Sequence, residues 1–219
     1  RGVPLGHQRN WFAMHVDDVF LPDDRWNTDL NLTAVDGPTT APDEIQCDTD
    51  PATPAPDCVP IRMTAADVDR ALTWQAAKGV VLDMAFNGFG SVEAIEDAGT
   101  DPLTDAFVAG RSGFRWINHT YSHPNLDAAP LTMLLTEIAA NRDWGQAKGL
   151  AFDPREVVTG EHSGLHNPFM PAALTQTGIT WIGSDNSREP QPYPIGPATT
   201  VPRYPSNVYY NVGTRAEQL

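Results

Sequence analysis

Apolar residues along the chain fall into short blocks separated by stretches with helical spacing. Residues 11–16 read as a first strand. Thr64 is placed to cap a helix on which Val68, Leu72 and Ala76 share one face, and Gly79 stops it. Residues 80–86 are an apolar run of strand length, followed by a weaker helix over 102–109 and a strand over 114–118. The clearest helix spans 131–147, where Leu131, Leu134, Leu135 and Ile138 form one stripe. A strand at 156–159, a helix at 168–177 closed by Gly178, and a strand at 179–183 follow. A sixth strand is expected near 199–203, among Pro- and Tyr-rich loops that begin at Ser187. Strand–helix alternation of this kind predicts an α/β fold, a mostly parallel sheet with helices outside.

Between the first strand and the first helix, residues 21–60 carry no such pattern and are rich in Pro, Asp and Thr. That is too long for an ordinary connection, so it reads as an insertion with its own purpose. Cys47 and Cys58 both lie in it, without a CxxC spacing or a nearby His that would suggest zinc. A disulfide between them would add about 2–3 kcal/mol by chain entropy and implies an oxidising, extracellular compartment; two free thiols in a loop are the alternative.

The 219 residues suit one domain, able to bury about 70% of its unfolded surface. A net charge of −14 speaks against nucleic acid and against anionic membrane surfaces, and is compatible with a neutral or cationic polymer. No apolar run approaches the roughly 20 residues of a membrane span. The chain opens at Arg1 without an initiator Met or a signal-like segment, and so reads as a processed or excised fragment.

In sheets of this kind the chemistry sits at the carboxyl ends of the strands. Two polar clusters fall there: His15-Val-Asp-Asp18 after the first strand, and His119-Thr-Tyr-Ser-His123 after the third. Adjacent aspartates repel unless a positive charge stands beside them. Two His four residues apart can converge on one ion, and Asp plus two His leaves a coordination position open for water. The pattern suits one Asp as ligand and its neighbour as base. A solvated Asp pair and two ordinary surface histidines are the plain alternative for each cluster alone. His162 and His166 lie on the next strand-end loop, where either could serve as an acid or hold substrate.

Asp17-Asp18 resembles the first motif of NodB-type polysaccharide deacetylases, carbohydrate esterase family 4. His119-Thr-Tyr-Ser-His123, with Pro124-Asn-Leu126 behind it, is very similar to that family's second motif. The resemblance implies an incomplete, distorted (β/α) barrel and an enzyme, a secreted metal-dependent polysaccharide N-deacetylase. It makes Asp17 the base and Asp18, His119 and His123 the ligands of one divalent metal. Zinc is the default ion, and nickel or cobalt fits the same ligands. The departing nitrogen needs an acid, and His162 is the candidate within this chain, from its place on the strand-end loop and not from the resemblance. Asp185 and Arg188, after the fifth strand, stand where the family has a residue that orients the base.

The chain departs from family 4 at Val19, where that family has Gly, and lacks its Arg-x-Pro-Tyr-like third motif and its late Leu-x-x-His. His15-Val-Asp-Asp18 and Gly160-Glu-His-Ser-Gly-Leu165 are more similar to carbohydrate esterase family 18, the galactosaminogalactan deacetylase group, which favours a galactosaminogalactan-like exopolysaccharide as substrate. The missing late motif suggests truncation after Leu219, with an open edge on the first strand. Two other readings stay open: hydrolysis of a small amide on the same scaffold, and a non-catalytic carbohydrate-binding module relying on the six Trp.

Overall fold

The structure is a computed structural model and describes residues 13–35, 44–47, 60–204 and 212–218. Along the chain run β1 (Met14–Val16), β2 (Asp23–Asp24), β3 (Trp26–Asn27), β4 (Leu32–Val35), β5 (Glu44–Gln46), β6 (Pro60–Ile61) and α1 (Ala65–Lys78). There follow β7 (Leu82–Phe86), α2 (Gly88–Ala98), α3 (Pro102–Gly110), β8 (Arg115–Asn118), α4 (Leu131–Ala147) and β9 (Phe152–Val157). The chain continues through α5 (Met170–Thr177), β10 (Trp181–Asp185), the hairpin partners β11 (Pro194–Ile195) and β12 (Ala198–Arg203), and α6 (Arg215–Gln218).

Seven strands form one sheet in the order β1-β7-β8-β9-β10-β12-β11. All neighbouring pairs are parallel except the β11–β12 hairpin. The expected α/β architecture is therefore present, and among the described residues the sheet is open, with β1 and β11 at its edges. Because β1, β7, β8, β9, β10 and β12 run the same way, their carboxyl ends share one rim.

Helix signals read from the sequence have physical counterparts. Thr64 and Asp67 form a reciprocal capping box at the start of α1, and Gly79 closes it at φ 68°, a left-handed value that costs glycine nothing. The stripe on α4 buries Leu134 and Ile138 against Leu126, Met170, Leu174 and Ile182. A second, aromatic core joins Phe20, Phe86, Phe107 and Trp116, with Phe20 and Phe107 edge to face at 5.2 Å. Each of these large side chains contributes roughly 1.5–3 kcal/mol by leaving water. This core fixes the segment just after β1, since Val19 and Phe20 are fully buried in it.

The 21–60 insertion is more ordered at its ends than its composition suggests. β2 pairs antiparallel with β6, which zips its two ends together. Arg62 then bolts that neck down: its guanidinium donates to the Phe20 carbonyl at 2.7 Å and to both oxygens of buried Asp101 at 2.9 and 2.8 Å. β3, β4 and β5 make a small separate sheet, which Thr28 links to Glu217 of α6 at 2.8 Å. Cys47 is buried, and no described cysteine is free; Cys58 lies outside the described residues. Among the described residues no helix is long and apolar enough to cross a membrane.

Candidate functional site

Asp17 and Asp18 leave the carboxyl end of β1, and His119 leaves that of β8, with β7 between them. Two strand spacings separate these ends by about 10 Å, a gap that an aspartate and a histidine reaching toward each other can close. They do close it. Asp18 Oδ1 lies 3.4 Å from His119 Nε2 and 3.5 Å from His123 Nε2. The two imidazoles meet edge to face, 4.9 Å between centroids.

Holding this geometry requires unusual backbone. Six described non-glycine residues have positive φ, and five of them are on these loops: Asp18, Thr120, His123, Glu161 and His162. Such conformations cost of order 1–3 kcal/mol each and persist only where surrounding structure imposes them. Here that structure is a layer of buried amides. Asn87 Nδ2 donates to the carbonyls of His119 and Thr120 at 2.6 and 3.0 Å. Asn118 Oδ1 accepts from the Thr120 amide and from Asn141 Nδ2. Glu137 takes both the amide and the hydroxyl of Ser122 at 2.8 and 2.7 Å. Gly160 lies flat beneath His123, where a Cβ would stand 3.0 Å from three atoms of the ring. That contact explains a glycine at this position better than any turn requirement does.

Three metal-ligand atoms, Asp18 Oδ1, His119 Nε2 and His123 Nε2, converge here. Asp18 Oδ1 and His119 Nε2 are buried and have no hydrogen-bond partner. His119 Nδ1 meets the Val158 carbonyl at 2.9 Å, so it carries the proton and leaves Nε2 a bare lone pair. Burial alone would lower the His119 pKa, but Asp18, Asp17 and Val158 outweigh it and raise it. The spot is one where a positive charge is favoured. The three residues are a cluster able to hold a metal ion, and separations of 3.4 and 3.5 Å match the edges, about 3.4 Å, of a tetrahedron with bonds of about 2.1 Å. The residues present thus fit a divalent ion.

Asp17 faces the same space, its Oδ2 4.0 Å from His119 Nε2. Arg203, at the end of β12, donates from Nη2 to both Asp17 oxygens at 2.6 and 2.8 Å. Burial would raise the Asp17 pKa, yet the bonds and charge of Arg203, with His119 and His15, hold it below the usual range. The other arm of Arg203, Nη1, meets His162 Nε2 at 3.1 Å. Since a guanidinium only donates, His162 Nε2 is an acceptor and Nδ1 bears the hydrogen. Burial and Arg203 push the His162 pKa down, so the ring is neutral at rest.

The remaining expected residues are placed differently. Asp185 and Arg188 do not orient Asp17. Asp185 is the register partner of Arg203, but its short carboxylate turns to the Ser187 amide at 2.8 Å, and the longer arginine makes the reach. Arg188 pairs with Asp185 at 3.7 Å. His166 bonds Glu189 at 2.5 Å, stacks on Tyr193 and lines the same cleft as His162. Sequence reasoning missed Arg203, although the rule that selected strand ends, applied to the sixth strand, points to it. Burial and the Asp18 carboxylate raise the pKa of Asp23 on β2, while His123 opposes them.

If Asp17 is a catalytic group that Arg203 holds in place, Arg203→Ala should lower turnover about 10²-fold with little change in KM, because misplacing such a group costs about that much. Arg203→Lys, with one point of contact, should recover part of it. Equal falls in folding stability and activity for both variants would reduce Arg203 to a structural ion pair.

Comparison with known proteins places this rim in context. The family model described as the Agd3 deacetylase domain matches residues 95–192, which include His119, His123 and His162 but not Asp17, Asp18 or Arg203. No curated protein matches the chain. The crystal structure of Agd3, described as a novel carbohydrate deacetylase, aligns with a TM-score of 0.75 at 19% identity. The alignment covers 96% of this chain but only 39% of that one. More distant are the Streptococcus pyogenes deacetylase PplD (TM-score 0.47, 9% identity, 66% of this chain and 62% of that one) and a family 4 carbohydrate esterase from Streptomyces lividans (TM-score 0.41, 17% identity, 55% and 56%). Across residues 95–192 the chain is thus similar to the Agd3 deacetylase domain, and along nearly its whole length it has the fold of the Agd3 carbohydrate deacetylase.

Proposed function

We propose that residues 1–219 form one catalytic domain that removes N-acetyl groups from an amino-sugar polysaccharide outside the cell. The observation that carries this reading is the convergence of Asp18, His119 and His123 beside an Asp17 that Arg203 holds in place. The three residues would hold one divalent ion, zinc by default, which when bound supplies a Lewis acid and a water of lowered pKa.

The chain's own groups do the rest. Asp17 accepts the proton of the attacking water; its two contacts with Arg203 fix the carboxylate and keep it ionised. Water adds to the acetyl carbon, the C–N bond breaks, and the sugar nitrogen takes a proton as acetate leaves. His162 is the donor in this reading. Its lowered pKa makes the protonated ring a stronger acid than an ordinary imidazolium and requires it to take up a proton during each turnover. A polymer is favoured over a small amide because a cleft of about 800 Å³, far larger than an acetamide needs, opens beside His162. A galactosaminogalactan-like exopolysaccharide is the favoured substrate, on the resemblance to family 18. A Cys47–Cys58 disulfide pinning the insertion would suit an extracellular setting, and the burial of Cys47 supports it.

Acetate release by the zinc-loaded chain from N-acetylglucosamine and N-acetylgalactosamine polymers, beside small acetamides, tests the reading. Zinc-dependent release from at least one polymer, faster than from any small amide, is expected. No release from any polymer by chain that carries zinc would overturn it.

A further inference from the structure

The first turn of α2 brings an aromatic ring to the same rim. Gly88, Gly90 and Ser91 are buried there. A Cβ would stand 2.6 Å from the Trp144 ring at Gly88 and 2.4 Å from the Phe20 carbonyl at Gly90, so the two glycines press this turn onto the core. At about 100° per residue the position between them is turned outward, and Phe89 there stays 37% exposed. The ring is nonetheless held. The Phe89 amide donates to the Tyr121 carbonyl at 3.1 Å, and the two rings meet edge to face, 5.9 Å between centroids. Such a contact leaves ring faces that neither partner covers. Tyr121 belongs to the loop of the two histidines, two residues from each, so its Cα lies within about 7 Å of both of theirs. The pair thus borders the Asp18, His119 and His123 cluster from the ends of β7 and β8, while the cleft beside His162 is lined largely from the loops after β9 and β10. Axial C–H bonds make a face of a hexopyranose apolar, which suits the electron-rich face of an aromatic ring.

We infer that Phe89 and Tyr121 form a stacking platform for the sugar next to the one whose acetyl group is removed, so that this aromatic pair favours polymer over monosaccharide. The inference rests on the deacetylase reading only for which sugar reacts; binding is measured without turnover. Calorimetry in the zinc-loaded Asp17→Asn background would follow hexamers of N-acetylglucosamine and of N-acetylgalactosamine. At least one hexamer is expected to bind while Phe89 is present. Phe89→Ala and Phe89→Leu should each weaken that binding about tenfold, the scale of returning an aromatic face to water. Leucine keeps apolar bulk against Tyr121, so a loss shared by both variants marks the flat face rather than the packing. Phe89→Trp keeps a flat face and should bind like the parent. With Asp17 restored, Phe89→Leu should raise KM for the polymer about tenfold while kcat holds, the mark of binding lost equally from ground and transition states. Its rate on N-acetylglucosamine itself should not change. No binding of either hexamer by the parent, unchanged binding in Phe89→Leu, or equal falls in rate on polymer and monosaccharide would overturn the inference. If the Phe89 variants lose hexamer binding as expected while no polymer yields acetate, the platform stands and the catalytic reading falls.

Discussion

Asp17→Asn is expected to keep its zinc and to lose about 10²–10⁴-fold in deacetylation, the range a general base supplies. Asparagine retains an oxygen to accept from Arg203 Nη2, so the loop after β1 should keep its shape. What it loses is the ability to take a proton. Steady-state rates alongside metal content of the same preparation check this. A metal-loaded variant turning over near the wild-type rate would remove Asp17 from the role of base. The charge of Arg203 explains why nature could place two carboxylates side by side here at all. Asp17 is neutralised from the β12 side, and Asp18 turns to the histidines.

The second large effect concerns His119, whose side chain is 2% exposed and is held by the Val158 carbonyl. His119→Ala removes one of three donors and should abolish tight metal binding and, with it, activity. Metal that binds only the folded chain stabilises it by mass action, by about 2.7 kcal/mol at a concentration 100 times Kd. For a domain of this size that is a rise of roughly 5–10 °C in melting temperature. Zinc should produce this rise in the wild-type chain and none in His119→Ala. Chelation should bring the wild-type chain down by the same interval. A zinc-induced rise of equal size in both proteins would place the ion elsewhere.

How far the sequence carried depended on how local each signal was. α4 was legible to the residue, because Leu131, Leu134, Leu135 and Ile138 mark its first turns and no Pro interrupts it before Ala147. α2 was not seen: it opens Gly-Phe-Gly, which reads as loop. Gly90 is there because a Cβ would stand 2.4 Å from the Phe20 carbonyl, a contact made by distant chain. β9 begins four residues before the strand expected at 156–159, since Asp153 and Pro154 argue against a ladder; the register irregularity opposite Trp116 and Asn118 accommodates them. Within the site, Asp17, Asp18, His119 and His123 could be singled out because each pair is contained in one loop. Arg203 bonds Asp17 across 186 residues, and no local pattern marks such a contact. Asp185 and Arg188 were chosen for that role by position, and their neighbouring strand supplied the residue instead.

The most direct measurement is an anomalous-scattering map from crystals of the chain soaked in zinc. A single peak is expected within about 2.0–2.3 Å of Asp18, His119 and His123 at once. A map with no peak among these three side chains, or with the side chains turned away from one another, would contradict a metal centre there.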